Sequence, residues 1–162
     1  MAGRTLHELR HSGVELTAEE AVAIVQLLIV GVSSASPTLP RFESPSLENV
    51  SLSADGAVEC RACGATLDVA EVGALLDSLL PRGGGRRVPG ALRYTIARAS
   101  QLVEAPPFAS LAELSRALAR HERGDRADVA SQVYARAVPS MSRDEMFSGD
   151  RRRTSVSIAE LR

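Results

Sequence analysis

Phe42-Glu-Ser-Pro-Ser-Leu-Glu-Asn49-Val-Ser-Leu-Ser-Ala-Asp-Gly56, followed by Ala57-Val-Glu-Cys60-Arg-Ala-Cys63-Gly64, is the stretch on which the fold turns. Val50 to Leu52 and Ala57 to Cys60 are short runs of β-type residues, and Ser53-Ala-Asp55-Gly56 separates them. Asp-Gly supplies the positive φ values of a tight turn, so the spacing predicts one β-hairpin over about 50–60. The residues before it, 41–49, carry Pro45 and no periodicity and read as a loop.

Outward from the hairpin, the apolar period is helical. Upstream, Leu6 and Leu9 mark a helical turn over Thr5 to Arg10. Thr17-Ala-Glu-Glu20 is a capping box that opens a helix over about 18–33. That helix is apolar on nearly every face and belongs in the middle of a domain. Its longest apolar run, Ala21 to Val32, is 12 residues long and contains Gln26, too short to span a bilayer. Downstream, Val69, Val72, Gly73, Leu76 and Leu80 stripe a helix over about 68–80, and Pro81 with Gly83 to Gly85 stops it. Helices follow over about 89–103, with Pro89 in the first turn, and 111–121, opened by the capping box Ser110-Leu-Ala-Glu113. The last covers about 126–137, after Gly124. The fold class expected is mainly α with one small β-hairpin. Residues 1–137 form the domain and 138–162 a polar, Arg-containing tail, docked or disordered.

Composition narrows the function. Aromatics are 3% and Trp is absent, so the core must be aliphatic, which favours packed helices. The net charge of −1 gives no basic field for nucleic acid. All 19 basic residues are Arg. Without Lys there is no P-loop Lys and no Schiff base. Residues 1–16 contain no signal-peptide apolar region, and a cytoplasmic location is the expectation.

The residues now support a resemblance. Thr5-Leu-His-Glu-Leu-Arg10 and Leu16-Thr-Ala-Glu-Glu-Ala21 resemble the short helix after the hinge of a protein kinase and the start of its long central helix. The 42–56 stretch resembles the catalytic loop and hairpin written H-R-D-L-K-P-E-N-[IV]-L-L-x-x-D-G, with Glu48-Asn49-Val50 and Asp55-Gly56 in register. Asp68-Val-Ala-Glu-Val-Gly73 resembles the helix start D-[VI]-x-S-x-G. The resemblance covers about residues 4–121. It implies a kinase C-lobe fold in which Asp68 accepts hydrogen bonds from the catalytic-loop backbone, with Asn49, Asp55, Gly56 and Gly73 in structural roles.

The departures from that pattern decide what the resemblance implies about activity. Phe42-Glu43-Ser44 stands where H-R-D should, so a hydroxyl occupies the place of the catalytic carboxylate. Ser46 stands for the loop Lys, and Ala62-Cys63-Gly64 for D-F-G. Asn49 alone remains of the metal ligands, and one neutral amide does not hold Mg²⁺. Three residues, Ala65 to Leu67, stand where an activation segment of roughly twenty or more is needed. The Gly-rich loop and the nucleotide-anchoring Lys are missing as well. The chain resembles the kinase non-catalytic C-lobe (KIND) family of interaction modules. The resemblance implies no enzyme activity, no cofactor and a protein partner, a peptide or amphipathic helix; homodimerisation stays open. Phe42 and Leu47 are the candidate apolar contacts, and Glu43, Glu48 and Glu59 would favour a basic partner, on the face that a missing N-lobe uncovers.

Three motifs carry sharper chemistry against blander readings. Cys60-Arg-Ala-Cys63 is C-x-x-C, and a redox- or metal-responsive regulatory domain is the alternative function. The chain has only His7, His11 and His121 to complete a zinc site, and residues three apart on a strand face oppositely, so two small hydrophobes are the expectation. His7 and His11 could share a helix face but lack a third ligand. Arg151-Arg-Arg-Thr-Ser155 resembles an Arg-directed phosphorylation site, but the solvated tail is the expectation.

Overall fold

The computed structural model describes residues 3–34, 43–63, 66–83 and 87–148, with 33–34 and 139–148 described by their backbone alone. It is mainly helical with one small antiparallel sheet. In chain order the elements are β1 (Arg4–Thr5), α1 (Leu6–His11), α2 (Ala18–Ser34), β2 (Val50–Leu52), β3 (Val58–Cys60), α3 (Val69–Leu79), α4 (Gly90–Ala99), α5 (Leu111–Leu118) with a 3₁₀ turn (Ala119–His121), and α6 (Arg126–Ser148). Phe42, Gly64, Arg151 to Arg153 and Ser155 lie outside the described residues.

α2 is the axis. It touches β3, α3, α5 and α6, and Val22, Ile24, Val25 and Leu28 are fully enclosed. A helix apolar all round has no face to give to water, so the other elements wrap it. Gln26 is 0% exposed within this apolar surround. Its Nε2 donates to the Ser115 carbonyl at 2.8 Å, and the Ser115 hydroxyl donates back to its Oε1 at 2.6 Å. Left unpaired, a buried amide costs roughly 1–3 kcal/mol; paired, it pins α2 to α5 in one register.

Helix starts follow their caps. The Thr17 amide donates to Glu20 at 2.9 Å, and the Glu20 amide to the Thr17 hydroxyl at 3.2 Å. Glu20 also pairs with Arg136 at 2.7 Å, tying the start of α2 to α6. Thr5 and Glu8 form a second reciprocal box. At α5 only half of the expected box forms. Ser110 accepts from the Glu113 amide, while the Glu113 carboxylate accepts from Ala109 instead.

The hairpin lies where expected, with Val50 opposite Cys60 and Leu52 opposite Val58. A third strand completes it: Arg4 pairs with Leu52 and Thr5 with Ser51, placing β2 in the centre. The turn differs from the expected Asp-Gly pair of positive φ values. Gly56 has φ +83°, Asp55 does not share it, and the Gly56 amide donates to the Ser53 carbonyl at 3.1 Å. The turn is closed by this one left-handed glycine. A Cβ at Gly56 would sit 2.1 Å from the Ala127 carbonyl oxygen, so the turn is pressed against the first turn of α6. At Gly73 a Cβ would lie 2.9 Å from that of Ala99, which is how α3 and α4 approach.

Two helix ends move. α4 stops at Ala99, short of 103, because Gln101 adopts φ +57° and turns the chain. α6 continues past 137 to Ser148, and Pro139, lacking an amide donor, does not end it.

Candidate functional site

The loop before β2 is organised by Asn49, which is 9% exposed. Its Oδ1 accepts from the Ser46 amide at 2.7 Å, and its Nδ2 donates to the Ser44 carbonyl at 2.8 Å and to the Glu43 carboxylate at 3.3 Å. The Asn49 carbonyl accepts from Arg61 at 2.8 Å, and Glu43 N–H donates to the Ala62 carbonyl at 3.1 Å. The loop is thus closed on itself and laced to the end of the hairpin. The Ser44 hydroxyl donates to Glu71 of α3 at 2.7 Å.

Asp68 does not take the part expected of it. It is exposed and caps α3, accepting from the Ala70 amide at 3.0 Å and forming a reciprocal box with Glu71. Among the described residues its side chain makes no hydrogen bond to the 43–49 loop. The residue that reaches the loop from this helix is Glu71, one turn on. Asp55 stays at the hairpin tip, where the Ser53 hydroxyl donates to its carboxylate. That bond, with backbone donors, holds its pKa below the ordinary carboxylate value.

The cysteines also depart from expectation. The Cys60 and Cys63 sulfurs lie within disulfide-bonding reach, with their Cα atoms 5.6 Å apart. Residues three apart on a continuing strand would face oppositely, but the strand ends at Cys60 and Ala62 adopts φ +65°. That left-handed residue folds the chain back, and the sulfurs meet. Cys60 is half-buried and Cys63 is enclosed in the core. Among the described residues no group of three His, Cys, Asp or Glu side chains is placed to hold a metal ion. His7 and His11 stack with ring centroids 4.2 Å apart, and His7 lies 3.8 Å from Glu48.

Of the residues expected to meet a partner, Glu43, Glu48 and Glu59 are exposed and Leu47 is half-buried. They do not form one apolar face. The exposed large hydrophobic side chains among the described residues, Val30, Tyr94, Leu102 and Val138, come from elsewhere in the chain. Leu47 instead opens into a groove of about 370 Å³ on the α1 side. Its walls are Leu6 and Leu9 of α1, Val14 and Leu16, Leu47, and Leu79, Leu80 and Pro81 at the end of α3, with Arg10, Glu15 and Arg82 at the rim. A second cavity of about 500 Å³ shares Leu80, Pro81 and Arg82 with the first and adds Arg87, Arg93 and Asp77. The first is a trough between α1 and the end of α3 with mainly apolar walls; the second adjoins the same Leu80 to Gly83 segment and carries Arg82, Arg87 and Arg93. The signal for the trough was present in sequence as Leu80-Pro81-Arg82, but its meaning depends on the fold that brings α1 against the end of α3.

No protein-family model matches the chain, and no curated protein matches it. Among the described residues no helix is long and apolar enough to cross a membrane.

Proposed function

We propose that this chain is a non-catalytic interaction module of kinase C-lobe type that seats a partner peptide or amphipathic helix in the trough between α1 and the end of α3. The observation that carries the reading is the trough itself, because a concave apolar surface on a water-facing domain favours a partner's apolar face. Its charge argues for the occupant. Arg82, Arg87 and Arg93 outnumber Asp77 around the adjoining cavity, and among the described residues Arg10 and Arg82 form no ion pair. The complementary partner has apolar anchors followed by carboxylates, the reverse of the basic partner that Glu43, Glu48 and Glu59 suggested.

The element order supports the kinase-lobe part of this reading: short helix, buried central helix, loop laced to a hairpin, then helices. The Ser44 hydroxyl and the Asn49 amide are both committed to internal hydrogen bonds. This favours a scaffold over phosphoryl transfer.

Peptide display on the folded chain tests the proposal. Selected peptides should carry two or more large apolar residues flanked by Asp or Glu, and Arg82→Glu should weaken them by at least about tenfold, since close interfacial charge pairs carry more than 1.4 kcal/mol. Peptides that are basic, or that bind Arg82→Glu and Leu47→Asp as well as the parent chain, would place the contact surface elsewhere.

A further inference from the structure

The cysteine pair lies outside the trough and is independent of the docking reading. We infer that Cys60–Cys63 is a reversible dithiol–disulfide site, opened by a dithiol reductant, and that its state sets the order of the 43–49 loop. Three observations carry this. The two sulfurs differ in access: Cys60 ends β3 half-buried, and Cys63 is 1% exposed. Between them Ala62 has φ +65°, a conformation that a residue with a Cβ holds only under constraint. The two residues inside the ring are also the ones bonded to the loop, Arg61 N–H to the Asn49 carbonyl and the Ala62 carbonyl from Glu43 N–H. The Cys60 sulfur lies 3.6 Å from Asn49 Oδ1.

The exchange proceeds from the accessible side. A thiolate of the reductant attacks Cys60 Sγ and forms a mixed disulfide. The Cys60–Cys63 bond breaks, and its electron pair leaves on Cys63 Sγ, which takes a proton. The reductant's second thiolate then displaces Cys60, which takes a proton in turn, and the reductant departs as its own disulfide. Two thiols have replaced one disulfide, and the reductant is oxidised by the same two electrons. Without the ring, Ala62 relaxes toward negative φ, and its carbonyl turns away from Glu43. Asn49 then holds a loop that has lost its anchor on the hairpin. Where a protein works in a reducing compartment, disulfides that do form are mostly transient or redox-sensing.

The test equilibrates the purified chain across ratios of reduced to oxidised dithiothreitol. Thiols are counted by alkylation and mass, and amide hydrogen exchange is followed at Glu43, Ser46 and Arg61. The expected result is one transition between a two-thiol and a no-thiol form, with these amides exchanging at least about fivefold faster in the reduced chain. Cys60→Ser should show the fast exchange at every ratio; the comparison within the parent chain stands even if that variant does not fold. Thiols that remain unpaired at the oxidised limit overturn the proposal, and so do exchange rates at the three amides that are the same in both forms. Neither readout needs a partner, so the trough assignment can fail or hold separately.

Discussion

Replacing Asn49 by Ala removes the acceptor of the Ser46 amide and the donor to Ser44 and Glu43 in one step. The side chain is 9% exposed, so water regains only part of what is lost. A typical hydrogen bond contributes about 0.5–1.5 kcal/mol net, and a buried group left unpaired costs about 1–3 kcal/mol. The Glu43 and Ser44 partners are exposed and rehydrate, so the Ser46 amide and the void carry most of the effect. Summed, the loss is about 2–3 kcal/mol. With a urea slope of about 1–3 kcal/mol per molar, the midpoint should fall by roughly 1–2 M. Asn49→Asp sharpens the result. It keeps an acceptor for Ser46 but cannot donate to Ser44, and it sets a second carboxylate beside Glu43. It should be at least as damaging as Ala, and recover in part at low pH where the pair is protonated. Urea melts of the parent and both variants, followed by far-UV circular dichroism, decide it. A loss under about 0.5 kcal/mol for Asn49→Ala would refute the claim that this residue organises the loop.

Gly56→Ala should lose at least about 2 kcal/mol in the same melts, combining roughly 1–2 kcal/mol of left-handed backbone strain with the contact on the Ala127 carbonyl; an unchanged midpoint would mean that the turn is not pressed on α6. Asp68→Ala should lose only about 1 kcal/mol, the value of an N-cap, and Asp68→Ser should recover most of it; a loss above about 3 kcal/mol would restore a buried role for the carboxylate. Asp55 has its pKa lowered chiefly by the Ser53 hydroxyl, so its contribution is present above the ordinary carboxylate value and is lost as pH falls through the lowered one. Comparing the acid limbs of the parent and Asp55→Asn by denaturation should show that dependence flattened in the variant. Millimolar Mg-ATP should leave the thermal midpoint within about one degree of its value without nucleotide, since only a ligand that binds the native state stabilises it.

The parts of this structure legible in sequence are those decided by nearest neighbours along the chain. The capping box at Thr17 and Glu20, the buried course of α2 and the strand spacing around Asp55-Gly56 all depend on residues within a few positions of each other. Features decided by contact across the chain were not legible. β1 is two residues long, and nothing in Arg4-Thr5 marks it as a strand until β2 lies beside it. The cysteine pairing hinges on one backbone angle at Ala62, a residue whose type argues against that angle. The misread of Asp68 has a simpler origin. An Asp that opens a helix satisfies its own first turn, and that local bond wins where nothing encloses the side chain. Leu47 was legible as an apolar residue in an irregular segment, but which groove it lines depends on where α1 and the end of α3 meet.

The burial of most of α2 has a consequence for biosynthesis. α3, α5 and α6, which cover it, are all encoded after it, with α6 starting only at Arg126. On a ribosome adding about 5–20 residues per second, the stretch of about 100 residues from the end of α2 to the middle of α6 takes roughly 5–20 seconds to appear. Until α6 appears the nascent chain carries an apolar helix whose cover is incomplete, the kind of segment that holding chaperones retain. Translation arrest or cleavage before Arg126 would make that exposure permanent, so fragments of this chain should be found in aggregates or with chaperones, while the whole chain is released from both.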